Sequence, residues 1–205
     1  MSAARRSMVD GRHDRGNATR ARLIAEARAL FASKGYAAVS TQEILEAAGV
    51  TRGALYHHFT DKQALFDAVL ETVCAEVSGR LMAETVGATS YLDGLIKGCE
   101  AQLRVCADPE ILQIYLIDAA AVVGWRRWWE IDMRYAMGDL RVGIEAACDE
   151  RGVTDRNQRD AMLTLLSGAL NQAALTIADS TDPAGCAEAL IPTVRRMIEG
   201  LFVPV

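Results

Sequence analysis

Residues 40–59, Ser-Thr-Gln-Glu-Ile-Leu-Glu-Ala-Ala-Gly-Val-Thr-Arg-Gly-Ala-Leu-Tyr-His-His-Phe, constrain the fold of this chain more than any other stretch, because they read as two short helices folded across one tight turn. Ser40 and Glu43 have the capping-box spacing that starts a helix, and Ile44, Leu45, Ala47 and Ala48 give it an apolar side. Gly49 is placed to stop it. Thr51 is a second N-cap, and Ala54, Leu55 and Phe59 supply the packing residues of a helix barely two turns long. So short a pair is not stable alone and must be held by a neighbour. Its outward residues, Arg52, Gly53, Tyr56 and His57, are groups that suit a phosphate or a base edge.

The flanking sequence supplies helical neighbours and little else. There are only four prolines, Pro109, Pro183, Pro192 and Pro204, and no Asn-Gly or Asp-Gly hairpin signal, so the chain reads as all-α. A long amphipathic helix begins near Ala18 or Thr19, carries Leu23, Ile24, Ala27, Leu30 and Phe31 on one face, and stops at Gly35. After Phe59, Thr60 and Gln63 repeat the capping-box spacing, and Leu65, Phe66, Val69, Leu70, Val73 and Val77 carry an apolar stripe toward Val86. That helix would be roughly 37 Å long, enough to join two domains. Later breaks fall at Gly87-Ala-Thr, Asp108-Pro109, Ala119–Gly124, Arg151-Gly152 and Asp179–Pro183, with Asp108 and Asp182 as caps before a proline at the first helical position. The expected layout is about nine helices: an Arg-rich disordered arm over 1–17, a three-helix N-terminal domain over 18–65, and a larger helical domain over 66–205.

Charge is divided unevenly between these parts. Residues 1–62 hold ten Lys/Arg against six Asp/Glu, whereas 63–205 hold twelve against twenty-one. A basic head on an acidic body permits a polyanionic partner at the head and argues against one along the body. The five cysteines (74, 99, 106, 148 and 186) contain no C-x-x-C pair, so neither a disulfide framework nor a zinc site has its spacing, and a reducing cytoplasmic compartment is expected. The first thirty residues lack the apolar core of a signal peptide. Ala161–Ala178 is free of charges, yet Thr164, Ser167, Asn171, Gln172 and Thr176 would be costly facing lipid. It reads as a helix packed on several sides, with no membrane partner.

Three runs together carry a family resemblance: Ala-Arg-Ala-Leu-Phe-Ala-Ser-Lys-Gly-Tyr at 27–36, Thr-x-x-Glu-Ile-Leu-x-x-Ala-Gly-Val at 41–50 and Thr-Arg-Gly-Ala-Leu-Tyr-His-His-Phe-Thr-Asp-Lys at 51–62. Over about a quarter of the chain they closely resemble the TetR family of bacterial repressors. The resemblance implies a helix-turn-helix head joined by a long helix to a ligand-binding and dimerising body, which acts as a homodimer on palindromic double-stranded operator DNA and is released by a small-molecule effector. It implies operator contacts for Thr41, Thr51, Arg52, Gly53, Tyr56, His57 and Lys62. The chemistry of these residues agrees: Arg52 can donate a bidentate pair to guanine O6 and N7, Gly53 admits a close backbone, and Thr41 and Lys62 suit phosphates. A solvated tail remains the favoured reading of Arg5, Arg6, Arg12 and Arg15 over insertion into a minor groove.

The body offers one further cluster. Trp125, Trp128 and Trp129 fall within five residues, and Trp125, Trp129, Met133, Ala136 and Leu140 make one stripe if the helix is continuous, leaving Trp128 nearer the surface or an interface. Such a stripe is core more often than pocket. If a cavity exists, Cys99, Leu103, Trp125, Trp129 and Met133 are its candidate lining. The last two helices, over Ala161–Ala178 and Pro183–Phe202, should form an antiparallel pair that a second copy completes into a four-helix bundle. No Ser/His/Asp set, metal cluster or phosphate loop appears, and the histidines are 13, 57 and 58 alone. Neither enzyme activity nor a cofactor is expected. An architectural DNA-binding protein without a ligand is the remaining alternative.

Overall fold

The computed structural model describes the backbone of residues 3–203 and the side chains of residues 16–203. Among the described residues every regular element is helical. In chain order they are α1 (Ala3–Lys34), α2 (Thr41–Ala48), α3 (Arg52–His58), α4 (Lys62–Thr85) and α5 (Tyr91–Val105). Next comes a continuous rod α6, made of Pro109–Ile111, a π-wound stretch Leu112–Asp118, and Ala119–Val123. The chain ends with α7 (Trp125–Asp132), α8 (Ala136–Arg151), α9 (Arg156–Ala178) and α10 (Pro183–Leu201). Helix α1 runs through the segment expected to be an unstructured arm, which contains no proline to interrupt it. The side chains of Arg5, Arg6, Arg12, His13 and Arg15 lie outside the described residues.

Local signals fix the head. Ser40 Oγ accepts from the Glu43 N–H at 3.2 Å while the Glu43 carboxylate accepts from the Ser40 N–H at 2.8 Å, so the capping box of α2 is complete. Gly49 closes that helix at φ 59°, a left-handed conformation that favours glycine. Thr51 caps α3 through Ala54 N–H at 3.3 Å. At α4 the sequence expectation needs correction: Asp61, not Thr60, is the N-cap, accepting from Ala64 N–H at 2.7 Å. A charged acceptor meets the helix dipole better than a hydroxyl does. Beneath these caps Phe31, Tyr36 and Phe66 form a mutual triangle of rings with centroids 5.2–5.5 Å apart.

The buried cluster of the head does not stop at residue 65. Leu23, Phe31, Ile44, Leu55 and Phe66 belong to one continuous core with Val73 and Val77 of α4, Ile114 and Tyr115 of α6, and Trp128 and Ile131 of α7. A second core joins α5, α8, α9 and α10 through Ile96, Leu103, Ile144, Leu166, Ile177 and Ile198. Leu116 of α6 packs against both. Asp108 and Asp182 cap α6 and α10 before their prolines, as the spacing predicts. Helix α9 is long and apolar enough to cross a membrane by length and composition, but Leu163, Leu166, Leu170, Ala174 and Ile177 are buried within the second core.

The tryptophan stripe is the largest departure from the sequence expectation. The helix containing it breaks: α7 ends at Asp132, the Arg134 and Tyr135 N–H groups turn back to Ile131 and Asp132 carbonyls, and α8 restarts at Ala136. This turn is tight enough that a Cβ on Gly138 would lie 2.5 Å from the Met133 carbonyl oxygen. The break rotates α7 so that Trp128, Ile131 and Asp132 face inward. Trp125 is 65% exposed and Trp129 40%, while Trp128 is buried and donates its indole N–H to the Tyr115 carbonyl at 3.3 Å.

Candidate nucleic-acid interface and interior cavity

Helix α3 separates its residues cleanly by face. Leu55 and Phe59 are buried in the head core, and Arg52, Gly53, Tyr56 and His57 all lie on the exposed side. The Arg52 guanidinium sits 5.8 Å from the Tyr56 ring centroid, which holds the long side chain along the helix surface. Thr51 is exposed at the same end, and its hydroxyl is engaged as the cap of α3. Thr41 stands at the first position of α2, half-buried. Behind this face His58 is pushed below the ordinary imidazole range, by partial burial first and then by its coulombic coupling to the neighbouring His57 and Arg20.

Lys62 is placed differently from these. Its ammonium donates to the Tyr36 and Val39 carbonyls, both at 2.6 Å, and lies 4.0 Å from the Tyr36 ring centroid. Burial lowers its pKa, against the pull of Asp118 and Glu43. It therefore ties the α1–α2 connection to the start of α4. Glu43 carries a carboxyl held down to about 2, chiefly by the Ser40 backbone N–H, with Lys34 adding an exposed ion pair at 2.9 Å.

The body holds a cavity of about 630 Å³ that opens to solvent beside Tyr91 and Val142. Its wall comes from the C-terminal turns of α4 (Leu81, Met82, Thr85), from α5, from Tyr115 of α6 and Asp132 of α7, and from α8 and α9. Gly94 and Gly98, one turn apart on α5, place no side chain in the space. Of the lining expected from sequence, Cys99 faces the cavity. Leu103 is buried in the second core, Met133 packs at its edge, and Trp125 and Trp129 lie outside. The reason is the break at Met133–Tyr135, which takes the tryptophans off the stripe that a continuous helix would have made.

Sequence reasoning missed the polar groups of this cavity. The Tyr115 hydroxyl donates to the Asp132 carboxylate, and both residues are buried. Burial raises the Asp132 pKa, opposed by that hydrogen bond, and raises Tyr115 well above its ordinary value, with the Asp132 charge adding to the effect. Asp139 accepts from Ser78 Oγ at 2.5 Å. The signal available beforehand was an aspartate four residues after Trp128, on the same helical face as an aromatic core residue. The thiols of Cys99 and Cys106 are pushed up to about 12 by burial, which leaves them unreactive small hydrophobes. Among the described residues no group of three or more His, Cys, Asp or Glu is placed to hold a metal.

Comparison with known proteins bears on both parts. Residues 23–69 match the family described as bacterial regulatory proteins, tetR family, and residues 92–201 match the tetracyclin repressor-like C-terminal domain. The Transposon Tn10 TetC protein of Escherichia coli is 29% identical over 146 residues, which are 71% of this chain and 73% of that one. The HTH-type transcriptional repressor AcnR of Corynebacterium efficiens is 36% identical over 92 residues, 45% of this chain and 43% of its own length. Among solved structures, a TetR-family transcriptional regulator from Pectobacterium atrosepticum superposes with a TM-score of 0.76 at 32% identity, over 93% of this chain and 97% of that one. A helix-turn-helix head on an all-helical body, matched by family along both, makes this chain a member of the TetR family of transcriptional regulators, which are DNA-binding proteins and not enzymes.

Proposed function

We propose that the chain is a dimeric repressor that grips a palindromic operator through α2 and α3 and lets go when a small molecule fills the body cavity. Residues 18–65 serve as the DNA-binding domain and 66–205 as the ligand-binding and dimerising domain. The observation that carries the reading is the dual reach of α6. Tyr115 lines the cavity, while Asp118 of the same π-wound stretch accepts from the Tyr36 N–H of the head at 2.8 Å and from Gln113 Nε2 at 3.1 Å. About two turns earlier Glu110 pairs with Arg28 of α1, which also holds Glu76 of α4 at 2.6 Å. Stretches of π-winding are frequent at functional sites because their hydrogen-bond register can change locally. A ligand that favours one register would shift the hold of α6 and α4 on the head, and with it the separation of two reading helices.

Residues Arg52, Gly53, Tyr56, His57, Thr51 and Thr41 are the proposed operator contacts, with Arg52 reading a guanine. Dimerisation through α9 and α10 is supported by the uncharged run Ala161–Ala178 and by the exposure of Leu165, Leu175 and Met197 on those helices. Two copies would set the reading helices ~34–36 Å apart, the spacing of successive major grooves. The repressor sense is supported by the name of the AcnR relative, and a role on chromosomal DNA would put the protein in the cytoplasm.

Gel-shift titration over a salt series tests the core of this reading: a specific complex with a steep salt slope is expected. Replacing Arg52 by Ala should cost ~1–3 kcal/mol of operator affinity and relax preference at one base pair. Equal binding to all sequences before and after the change would sink the assignment. Sedimentation showing only 22.2 kDa monomer at micromolar concentration would remove the dimer.

A further inference from the structure

The cavity is one-signed. Asp132, Asp139 and Glu150 all line it, and no Lys, Arg or His does so among the described residues. None of the three is ion-paired within the described residues, although Asp67, Glu71, Glu76, Glu110 and Asp149 elsewhere on the body all are. Asp132 matters most, because it is 97% removed from solvent and among the described residues its carboxylate has one hydrogen-bond donor, the Tyr115 hydroxyl, and no cation. A buried carboxylate normally has a counter-charge, since desolvation without one is costly. The remaining wall is apolar and flexible, with Met82, Met137, Leu140 and Leu170, and Tyr91 and Tyr115 supply aromatic faces. Tyr91 and Glu150 are exposed at the solvent side of the space, while Tyr115 and Asp132 close its inner end.

We infer that the cavity selects organic cations: ligands with an aromatic or aliphatic body and a protonated or quaternary nitrogen that takes up the missing counter-charge at Asp132. The apolar wall takes the body, and the volume of about 630 Å³ is that of a small-molecule site. Aromatic faces beside a carboxylate suit a cationic nitrogen doubly, through charge and through the ring quadrupole. Anionic ligands such as carboxylates and phosphate esters are excluded, because each would enter beside three like charges with no basic group to receive it. A neutral hydroxylated ligand can hydrogen-bond to Asp132 but leaves the charge uncompensated. The inference rests on the reading of this cavity as the effector site.

The test uses the full chain and three probes that share one apolar body: naphthylmethylammonium, naphthalenemethanol and naphthoate, each titrated by calorimetry up to millimolar concentration. The ammonium should bind once per chain and at least tenfold more tightly than the alcohol, and naphthoate should not bind. Asp132→Asn, which keeps an acceptor for Tyr115, should bring the ammonium down to the affinity of the alcohol. Asp139→Asn should cause a smaller loss, and a thermal melt of each variant establishes that it is folded. Equal affinity for the three heads, tighter binding of naphthoate, no binding of any probe, or a charge preference that survives both substitutions would overturn the inference. Gel shift of the ligand-free protein separates this from the function proposed above. Intact operator binding with a failed titration discards the ligand class alone, whereas absent operator binding discards the regulator reading and leaves the titration to stand by itself.

Discussion

The head and the body of this molecule solve opposite packing problems. In the head, three aromatic rings and the buried faces of four short or long helices fill the interior, and the polar groups are turned outward on α3. In the body, α5 and α8 pack against each other through Leu95 and Gly143, yet together with α4 and α9 they leave about 630 Å³ of space, and Tyr115 and Asp132 are turned inward toward it. Both regions use the same helical vocabulary. A filled interior holds a reading surface at fixed geometry, and a hollow one leaves carboxylates hydrogen-bonded but, among the described residues, without an ion-pair partner. The sign of charge follows the same division, with an excess of Lys and Arg over residues 1–62 and carboxylates without an ion-pair partner among the described residues inside the body.

The sharpest way to break this contrast is to empty the head. Phe66→Ala should cost about 3–5 kcal/mol, because the triangle with Phe31 and Tyr36 has no room to collapse, and thermal melting should show a single transition moved down, since Phe66 shares a core with α6 and α7. A variant that melts like the wild type would mean that the head is less filled than described. Next in size is Lys62→Ala, which leaves the Tyr36 and Val39 carbonyls without their charged donor and should cost about 1.5–3 kcal/mol of stability. The same variant decides whether Lys62 also meets DNA: a salt slope of operator binding reduced by about one would establish a phosphate contact, and an unchanged slope a purely internal clamp.

Filling the body should act in the other direction. At Gly98 an added Cβ would meet the Thr85 methyl at 3.7 Å, an ordinary contact, so Gly98→Ala should stabilise by up to about 1 kcal/mol through helix propensity while narrowing the cavity. Unfolding at lower temperature would show that the space is more constrained than its walls indicate. The smallest effects are expected in pH dependence, and there the two regions should differ in sign. Glu43, held near 2, contributes stability above the ordinary value of 4.5 that is lost as pH falls through that window, so Glu43→Gln should flatten the acid decline. Asp132 is raised by burial, so it weakens the fold at neutral pH and ceases to do so as pH falls through its folded value toward 3.8. Asp132→Asn should therefore stabilise at pH 7, with the gain vanishing in acid. Parallel pH profiles for the two variants would contradict the contrast.

The same contrast explains what could be read in advance. Ser40 with Glu43, Gly49, Thr51, and the prolines after Asp108 and Asp182 act within one helical turn, so their roles follow from spacing alone. The outward face of α3 followed as well, because Leu55 and Phe59 have only one side on which to pack. Trp125, Trp128 and Trp129 did not follow. Their faces depend on the turn at Met133–Tyr135, which brings the Met133 carbonyl against Gly138, and an unbroken helix would have been an equally regular pattern. The pairing of Tyr115 with Asp132 spans seventeen residues and two helices, beyond any local period. Lys62 lay in the expected element, but the direction of its side chain is set by the Tyr36–Val39 connection.

The core that runs without interruption from Leu23 to Ile131 also bears on how such proteins can be rebuilt. A natural place to cut and rejoin two relatives would be the start of α4, where the recognition motif ends. A cut there would separate Phe31 and Leu55 from Ile114, Trp128 and Ile131, and would divide Asp118 from the Tyr36 amide it holds. A hybrid that exchanges reading specificity while retaining its response needs the inner faces of α6 and α7 to travel with the head. Modularity in this chain follows the buried surfaces and not the linear order of its motifs.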